Sequence, residues 1–158
     1  MDAYVLTEAE RRFLSELVAR NVRFMIVGLT AASLQGANTT TLDIDLWFET
    51  VADPQIREAA TIAGGIWISG FGMMPASLGG PLGDRLDVVL HMSGLGSFRE
   101  EHARSRLVSI EGVPLHVLPL DRILASKRAA NRPKDLAAIP ALEEALAAIE
   151  DEDTNPAG

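Results

Sequence analysis

The order of apolar and polar residues predicts a series of short helices and short strands. Residues 7–10 (TEAE) have capping-box spacing, and apolar residues follow at helical intervals, which predicts a helix over 8–20. The short apolar run at 23–27 is typical of a buried strand. Residues 29–35 are compatible with a helix that a glycine closes.

The clearest alternation lies at 42–48 (LDIDLWF), where apolar positions recur with a period of two. This period predicts a strand whose successive side chains point to opposite faces. Asp43, Asp45 and Trp47 would share one face, and the four residues around them would form an apolar face. We therefore expect a sheet that is covered on one side and has both acids on its accessible side.

Strands and helices continue to interleave without a regular βαβ repeat. Residues 70–83 hold five glycines and two prolines, which predict a loop or lid, and Glu111–Gly112 predicts a hairpin turn. This order favours an α+β fold with a mixed sheet packed against helices, including C-terminal helices. The further predicted helices cover 54–63, 97–105, 120–130 and 133–149 (with Pro140 as a place for a kink), and the further strands cover 66–69, 85–90, 107–110 and 113–118.

Length and composition indicate one globular domain. A chain of 158 residues, 47% hydrophobic and 23% charged, can bury its own core. We expect this domain over 1–149 and a disordered acidic tail over 150–158. The sequence contains no cysteine, which excludes a disulfide scaffold, a cysteine-ligated zinc site and a thiol nucleophile. It shows neither a membrane-length apolar run nor a secretory signal, so we expect a cytoplasmic protein without membrane association.

The charge balance restricts the partners. Fourteen basic and 22 acidic side chains give a net charge of −8, which argues against an extended surface for duplex nucleic acid. Five of the basic residues nevertheless fall between 122 and 134. That cluster indicates either a solvated helix face or a local phosphate site.

Three aspartates carry the clearest chemical signal. Asp43 and Asp45 would project from the same face of one strand, where they repel unless they are solvated, paired or bridged by a cation. Hard oxygen ligands of this kind suit Mg²⁺, although a solvent-facing strand edge explains the pair equally simply. Asp87 lies within an apolar strand pattern, where a buried carboxylate needs a partner. That partner is either a shared cation site or a base such as Arg85.

Positions outside this acid group add two weaker signals. Gly28 and Thr30 stand where a strand leads into a helix, a turn that can place backbone N–H groups and a hydroxyl near an anion. Lys127 falls on the inward stripe of its helix, where it either extends to solvent, reaches a phosphate or pairs with Asp135. Asp135 would also interact favourably with the dipole of its own helix, because a negative charge in the first turn lies near the positive end of that dipole.

The segment that contains the glycine turn and the first two acids resembles a known family. Residues 26–48 (IVGLTAASLQGANTTTLDIDLWF) look like the opening motif of the polymerase β-type nucleotidyltransferase superfamily, in which a glycine turn precedes two acids that flank an apolar residue. Asp87 matches the superfamily's third acid. Residues 113–142 are similar to the C-terminal stretch of small bacterial members, including abortive-infection and toxin–antitoxin nucleotidyltransferases, with Lys127 and the Lys134–Asp135 pair at matching positions.

The resemblance implies a nucleotidyltransferase-like fold and a metal-dependent enzyme that moves a nucleoside monophosphate from an NTP, such as ATP, to a hydroxyl acceptor. Asp43, Asp45 and Asp87 would be catalytic and would hold two Mg²⁺ ions, with Mn²⁺ as a substitute. The acceptor stays open among tRNA, a protein side chain and a small molecule such as an aminoglycoside.

The resemblance also implies a nucleotide-binding role for four further residues. Gly28 and Thr30 would cradle the β- and γ-phosphates, and Lys127 would supply positive charge near the triphosphate. Asp135 would orient Lys127 or the acceptor.

An alternative from another class is a non-catalytic module of the same fold that binds a nucleotide or a partner protein, for example within a toxin–antitoxin pair. The turn favours this alternative, because Leu29 stands where the superfamily has a small residue. A domain whose aspartates are simply solvated is the third option. Magnesium-dependent NTP binding separates the first two readings from the third.

Overall fold

A computed structural model describes residues 5–154, with side chains up to residue 152. It confirms the predicted α+β class with a mixed sheet and C-terminal helices. The helices are α1 (Glu8–Ala19), α2 (Gly28–Leu34), α3 (Pro54–Ile62), α4 (Phe98–His102), α5 (Leu120–Ala130) and α6 (Pro133–Thr154), with one 3₁₀ turn at Gly80–Leu82. The strands are β1 (Phe24–Val27), β2 (Ile44–Phe48), β3 (Ile66–Ile68), β4 (Ser77–Gly79), β5 (Leu86–Val89), β6 (Arg106–Ile110) and β7 (Val113–Val117).

Five strands form the main sheet in the order β5-β2-β1-β7-β6. Strand β1 is antiparallel to β2 and parallel to β7, while β2 is parallel to β5. The predicted hairpin joins β6 to β7, and both of its turn residues, Glu111 and Gly112, have positive φ. Strands β3 and β4 form a separate antiparallel pair.

The main core lies between one face of the sheet and helices α1 and α3. Helix α1 begins at the predicted capping box and buries Phe13, Leu14 and Leu17 completely. Phe24 and Phe48 face each other across β1 and β2 with their ring centroids 5.9 Å apart. Burial of such large side chains is the main contribution to the stability of the fold.

The opposite face of the sheet is covered more than the alternation at 42–48 predicts. Trp47, on the same face as Asp45, is only 3% exposed because Phe98 of α4 packs edge-to-face against it at 5.7 Å. Leu42 is 75% exposed, since it precedes the strand and does not join its apolar face. On β2, the accessible part of this face is thus restricted to the end that carries the acids.

Two further segments differ from the sequence-based expectation. The glycine-rich segment 70–83 contains strand β4 and the 3₁₀ turn, and Leu82 of that turn is fully buried. Helix α6 passes through Pro140 and continues to Thr154, so the beginning of the expected tail, 150–154, is helical. The end of that tail, 155–158, lies outside the described residues. In the part of the chain that the structure describes, none of the helices is sufficiently long and apolar for a membrane span.

Candidate active site

Three aspartates lie together at one edge of the main sheet. Strands β2 and β5 run parallel in a register that sets Asp45 directly beside Asp87. Asp43 precedes β2 by one residue and lies two positions before Asp45, which directs it to the same face. The expectation that the two strands are neighbours is therefore confirmed.

The three carboxylates have no cationic partner within the described residues. Within residues 5–152, none of the three carboxylates accepts a hydrogen bond or forms a salt bridge. Burial raises the pKa of Asp45, and the negative charges of Asp87 and Asp43 raise it further. Asp87 is exposed, and not buried as its apolar strand pattern predicted, because its side chain points to the accessible face of β5. Partial desolvation and the charge of Asp43 raise its pKa. Such mutual repulsion is relieved when a cation binds between the groups.

Arg85 does not serve as the partner of Asp87. Its guanidinium is directed to the other side, where Nε lies 3.0 Å from the carboxylate of Glu10 and Nη2 donates to the carbonyl of Val5. Burial alone would raise the pKa of Glu10, but hydrogen bonds from Arg85 and from the Thr7 backbone lower it below its usual value. The ion-pair explanation for Asp87 therefore fails for this base.

Gly28 is required where Asp45 approaches the end of β1. Val27 pairs with Asp45 across the two strands, and the chain then turns into α2 with a Gly28 φ of +72°. A Cβ atom at Gly28 would lie 2.6 Å from Oδ2 of Asp45. The glycine thus gives room to the carboxylate as well as allowing the left-handed turn.

Thr30 occupies a different place from the one expected. Its side chain is buried, and its hydroxyl donates a hydrogen bond to the backbone carbonyl of Asp43. Thr39 makes a similar contact, from its hydroxyl to the carbonyl of Leu29, at 3.4 Å. Thr30 therefore fixes the approach to β2, and its hydroxyl proton is not directed at an open phosphate site.

Asp135 is held by two cations. The Nζ of Lys127 lies 3.2 Å from Oδ1, and the Nε of Arg132 lies 2.6 Å from Oδ2. Hydrogen bonding from Arg132 is the main cause that lowers the pKa of Asp135 to about 2, and Lys127 adds to it. Asp135 is completely buried, which leaves it able to position Lys127 but not to face an acceptor. Sequence reasoning missed Arg132, although its spacing of three residues from Asp135 was a signal.

Lys127 contacts Asp135, and its charge also acts on Asp45. Its side chain is 19% exposed, and its charge and that of Lys134 both lower the pKa of Asp45, against the larger raising effects. The charge of Lys127 therefore acts on Asp45 while its Nζ binds Asp135. The helical stripe predicted an inward Lys127, and of the three alternatives left open for it the structure shows the pair with Asp135.

The donor set fits a hard divalent cation. Carboxylate oxygens with no other partner are the ligands that Mg²⁺ and Mn²⁺ prefer. In residues 5–152, however, no three His, Asp or Glu side chains are arranged to hold one ion by themselves. Mg²⁺ usually takes one or two carboxylates together with substrate phosphates, so this set suits an ion that arrives with a nucleotide.

Comparison with known proteins identifies the fold. No protein-family model matches the chain, and no curated protein does. A crystal structure of ANT(2″)-Ia in complex with adenylyl-2″-tobramycin matches with a TM-score of 0.58 at 16% identity, over 93% of this chain and 92% of that one. A solution structure of the antibiotic-resistance factor ANT(2″)-Ia matches with the same TM-score and identity, over 89% and 82%. The expected nucleotidyltransferase fold is confirmed.

Proposed function

We propose that this protein transfers a nucleoside monophosphate from an NTP to a hydroxyl group of a small molecule. The proposal depends on one observation above all: Asp45 and Asp87 lie side by side on parallel strands, with Asp43 nearby and no cation paired to any of them among the described residues. A structural domain with solvated acids does not require this arrangement, which costs stability through repulsion.

Asp43, Asp45 and Asp87 would hold the divalent metal, Mg²⁺ or Mn²⁺, together with the phosphates of the bound nucleotide. When bound, the metal would neutralise phosphate charge and favour an in-line displacement. The acceptor oxygen forms a bond to the α-phosphorus while the bond from that phosphorus to the bridging oxygen breaks, and pyrophosphate leaves. Asp87, which lies directly beside Asp45, would act as the general base that takes up the hydroxyl proton.

Lys127 and Lys134 would bind the triphosphate, because their charges already act on Asp45. Gly28 would keep the carboxylate of Asp45 in place, and Thr30 would fix the backbone at Asp43. Asp135 would hold Lys127 in position. In this proposal Thr30 and Asp135 act by positioning other groups. The resemblance had implied that Thr30 contacts the phosphates and that Asp135 orients Lys127 or the acceptor.

The net charge of −8 favours a cationic acceptor over RNA. An aminoglycoside is such a molecule, and it has many hydroxyl groups. The ANT(2″)-Ia structure with adenylyl-2″-tobramycin supports this choice, because that protein has the same fold and similar length.

The test measures pyrophosphate release from each NTP with Mg²⁺ or Mn²⁺ and a panel of aminoglycosides, with tRNA and a protein extract as the other acceptors. We expect release with an aminoglycoside, and none with Asp45→Asn. The matched control is Asp84→Asn, the same chemical change next to β5 but outside the site, which should keep full activity.

Two results would contradict the proposal. Release with tRNA or protein alone would correct the acceptor. Metal-dependent NTP binding without release on any acceptor would favour the non-catalytic module, for which the bulkier Leu29 in the turn is the argument.

A further inference from the structure

The hairpin of β3 and β4 exposes a group of large apolar side chains. Ile66 and Ile68 on β3 and Phe71, Met73 and Met74 in the connecting turn are between 47% and fully exposed, and we call these five residues the hairpin patch. Single exposed apolar residues are ordinary on protein surfaces, but five within nine positions of one hairpin are a concentration of the kind that marks an interface.

The hairpin patch is presented on a rigid support. On the inner side of β3, Trp67 is buried and packs edge-to-face against Phe48 of the main sheet at 6.1 Å. Backbone hydrogen bonds in both directions join Phe71 to Met74, at 2.9 and 3.0 Å. A partner would therefore meet a preformed surface, with little of the ordering cost that weakens binding to a loop.

The sequence around the hairpin patch is free of charge. Every residue from 59 to 83 is uncharged, in a chain of which 23% is charged. Interfaces between proteins are depleted of charged residues at their centres, so this segment has the composition of such a centre.

We infer that the hairpin patch joins two copies of this chain as a symmetric dimer. Around a two-fold axis the same patch serves both copies, so each apolar surface meets another apolar surface of equal size. Five large side chains with this exposure present an area on the order of the ~800 Å² per partner that a stable interface buries.

Other occupants fit the patch less well. A membrane surface is bound by apolar side chains accompanied by a cluster of Lys and Arg. Among the described residues the basic side chain that hydrogen-bonds to the hairpin is Arg57, whose Nη2 lies 2.9 Å from the hydroxyl of Ser69, and the segment 59–83 itself contains no basic residue. RNA requires the same basic residues. A cationic small molecule requires acids, which the segment also lacks.

The experiment is sedimentation velocity on the full chain over a range of concentrations, together with Met73→Asp and Phe71→Asp. We expect the wild type to sediment as twice 17.0 kDa. Each variant should raise the dimer dissociation constant at least ~30-fold, the effect of losing a central interface residue. Because Met73 is fully exposed, Met73→Asp should keep the melting temperature of the folded monomer.

The matched control is Leu107→Asp, which places the same charge on an exposed leucine of edge strand β6 and should leave the dimer intact. A wild type that is monomeric at every concentration would overturn the inference, as would a dimer that survives Met73→Asp. Binding of the monomer to uncharged lipid vesicles, abolished by Met73→Asp, would assign the patch to a membrane instead. None of these outcomes depends on the proposed transferase activity.

Discussion

A Cβ atom at Gly28 would lie 2.6 Å from Oδ2 of Asp45. The carboxylate therefore occupies the space of the missing side chain, and the two residues are adjacent although they are seventeen positions apart. Gly28 also has a φ of +72°, which L-residues rarely adopt.

The first prediction separates these two constraints. Gly28→Ala should lose ~1–2 kcal/mol of unfolding free energy through backbone strain, and should also displace Asp45 and abolish metal-dependent NTP binding. Gly112→Ala is the matched control, because Gly112 has a φ of +83° and open space around its Cβ position. It should lose similar stability and keep full NTP affinity, as measured by urea unfolding and titration calorimetry. Equal NTP affinity in both variants would remove the Gly28 turn from the site.

The second prediction concerns repulsion among the aspartates. In a chelator, Asp87→Asn should leave the unfolding free energy unchanged or raise it by ~0.2–1 kcal/mol, because it removes a like charge directly beside Asp45. Asp43→Asn should act in the same direction. Both variants should lose the thermal stabilisation that the wild type gains from Mg²⁺ with ATP. Unfolding of either variant would instead identify these acids as structural ion-pair partners.

Much of this site follows from sequence periodicity. A period of two set Asp43 and Asp45 on one face, and the spacing of apolar residues around Asp87 placed it in a strand. Their convergence required β2 and β5 to be neighbours, which the resemblance implied and single-strand patterns do not reveal. The hairpin at Glu111–Gly112 was predictable because both positions adopt positive φ, which a glycine turn favours.

What the sequence did not predict depends on contacts between distant elements. Trp47 lies on the same face as the acids, and only the packing of Phe98 shows that this part of the face is covered. Strand β4 lies in a glycine-rich segment with low strand propensity, and its pairing with β3 and the burial of Leu82 stabilise it. Tertiary contacts override local propensity in both cases.

The third prediction concerns Thr30 as a positioning residue. Thr30→Val keeps the shape of the side chain but removes the hydrogen bond to the carbonyl of Asp43, which should cost ~1 kcal/mol of stability and lower kcat. Thr30→Ser restores the hydroxyl and should restore kcat. If Thr30→Val keeps the kcat of the wild type and Thr30→Ser lowers it, the methyl packing of Thr30 matters and its hydrogen bond does not.

The fourth prediction is a pH dependence that arises from Asp135. Its pKa in the folded protein is about 2, below the ordinary value of 3.8, so its ionised form stabilises the fold above pH ~4. That contribution is lost as the pH falls through ~4 towards 2, where the carboxylate is protonated. The difference in unfolding free energy between the wild type and Asp135→Asn should therefore shrink over this range. A constant difference from pH 7 to pH 2 would contradict the ion pairing of Asp135.

The last prediction compares the two cations that hold Asp135. Lys127 and Arg132 both contact this buried carboxylate, but Arg132 is 57% exposed, whereas Lys127 is 19% exposed and acts electrostatically on Asp45. Removing either one leaves Asp135 with the other, so each alanine variant should lose less than the ~3–5 kcal/mol of a fully broken buried pair. Lys127→Ala should in addition weaken Mg-ATP binding at least ~10-fold, since it removes a charge from the triphosphate site. Arg132→Ala should keep its Mg-ATP affinity. Calorimetric titration with Mg-ATP and thermal melting are measured on the same two samples. Equal losses of Mg-ATP affinity in the two variants would show that both cations only support Asp135 and that neither contacts the nucleotide.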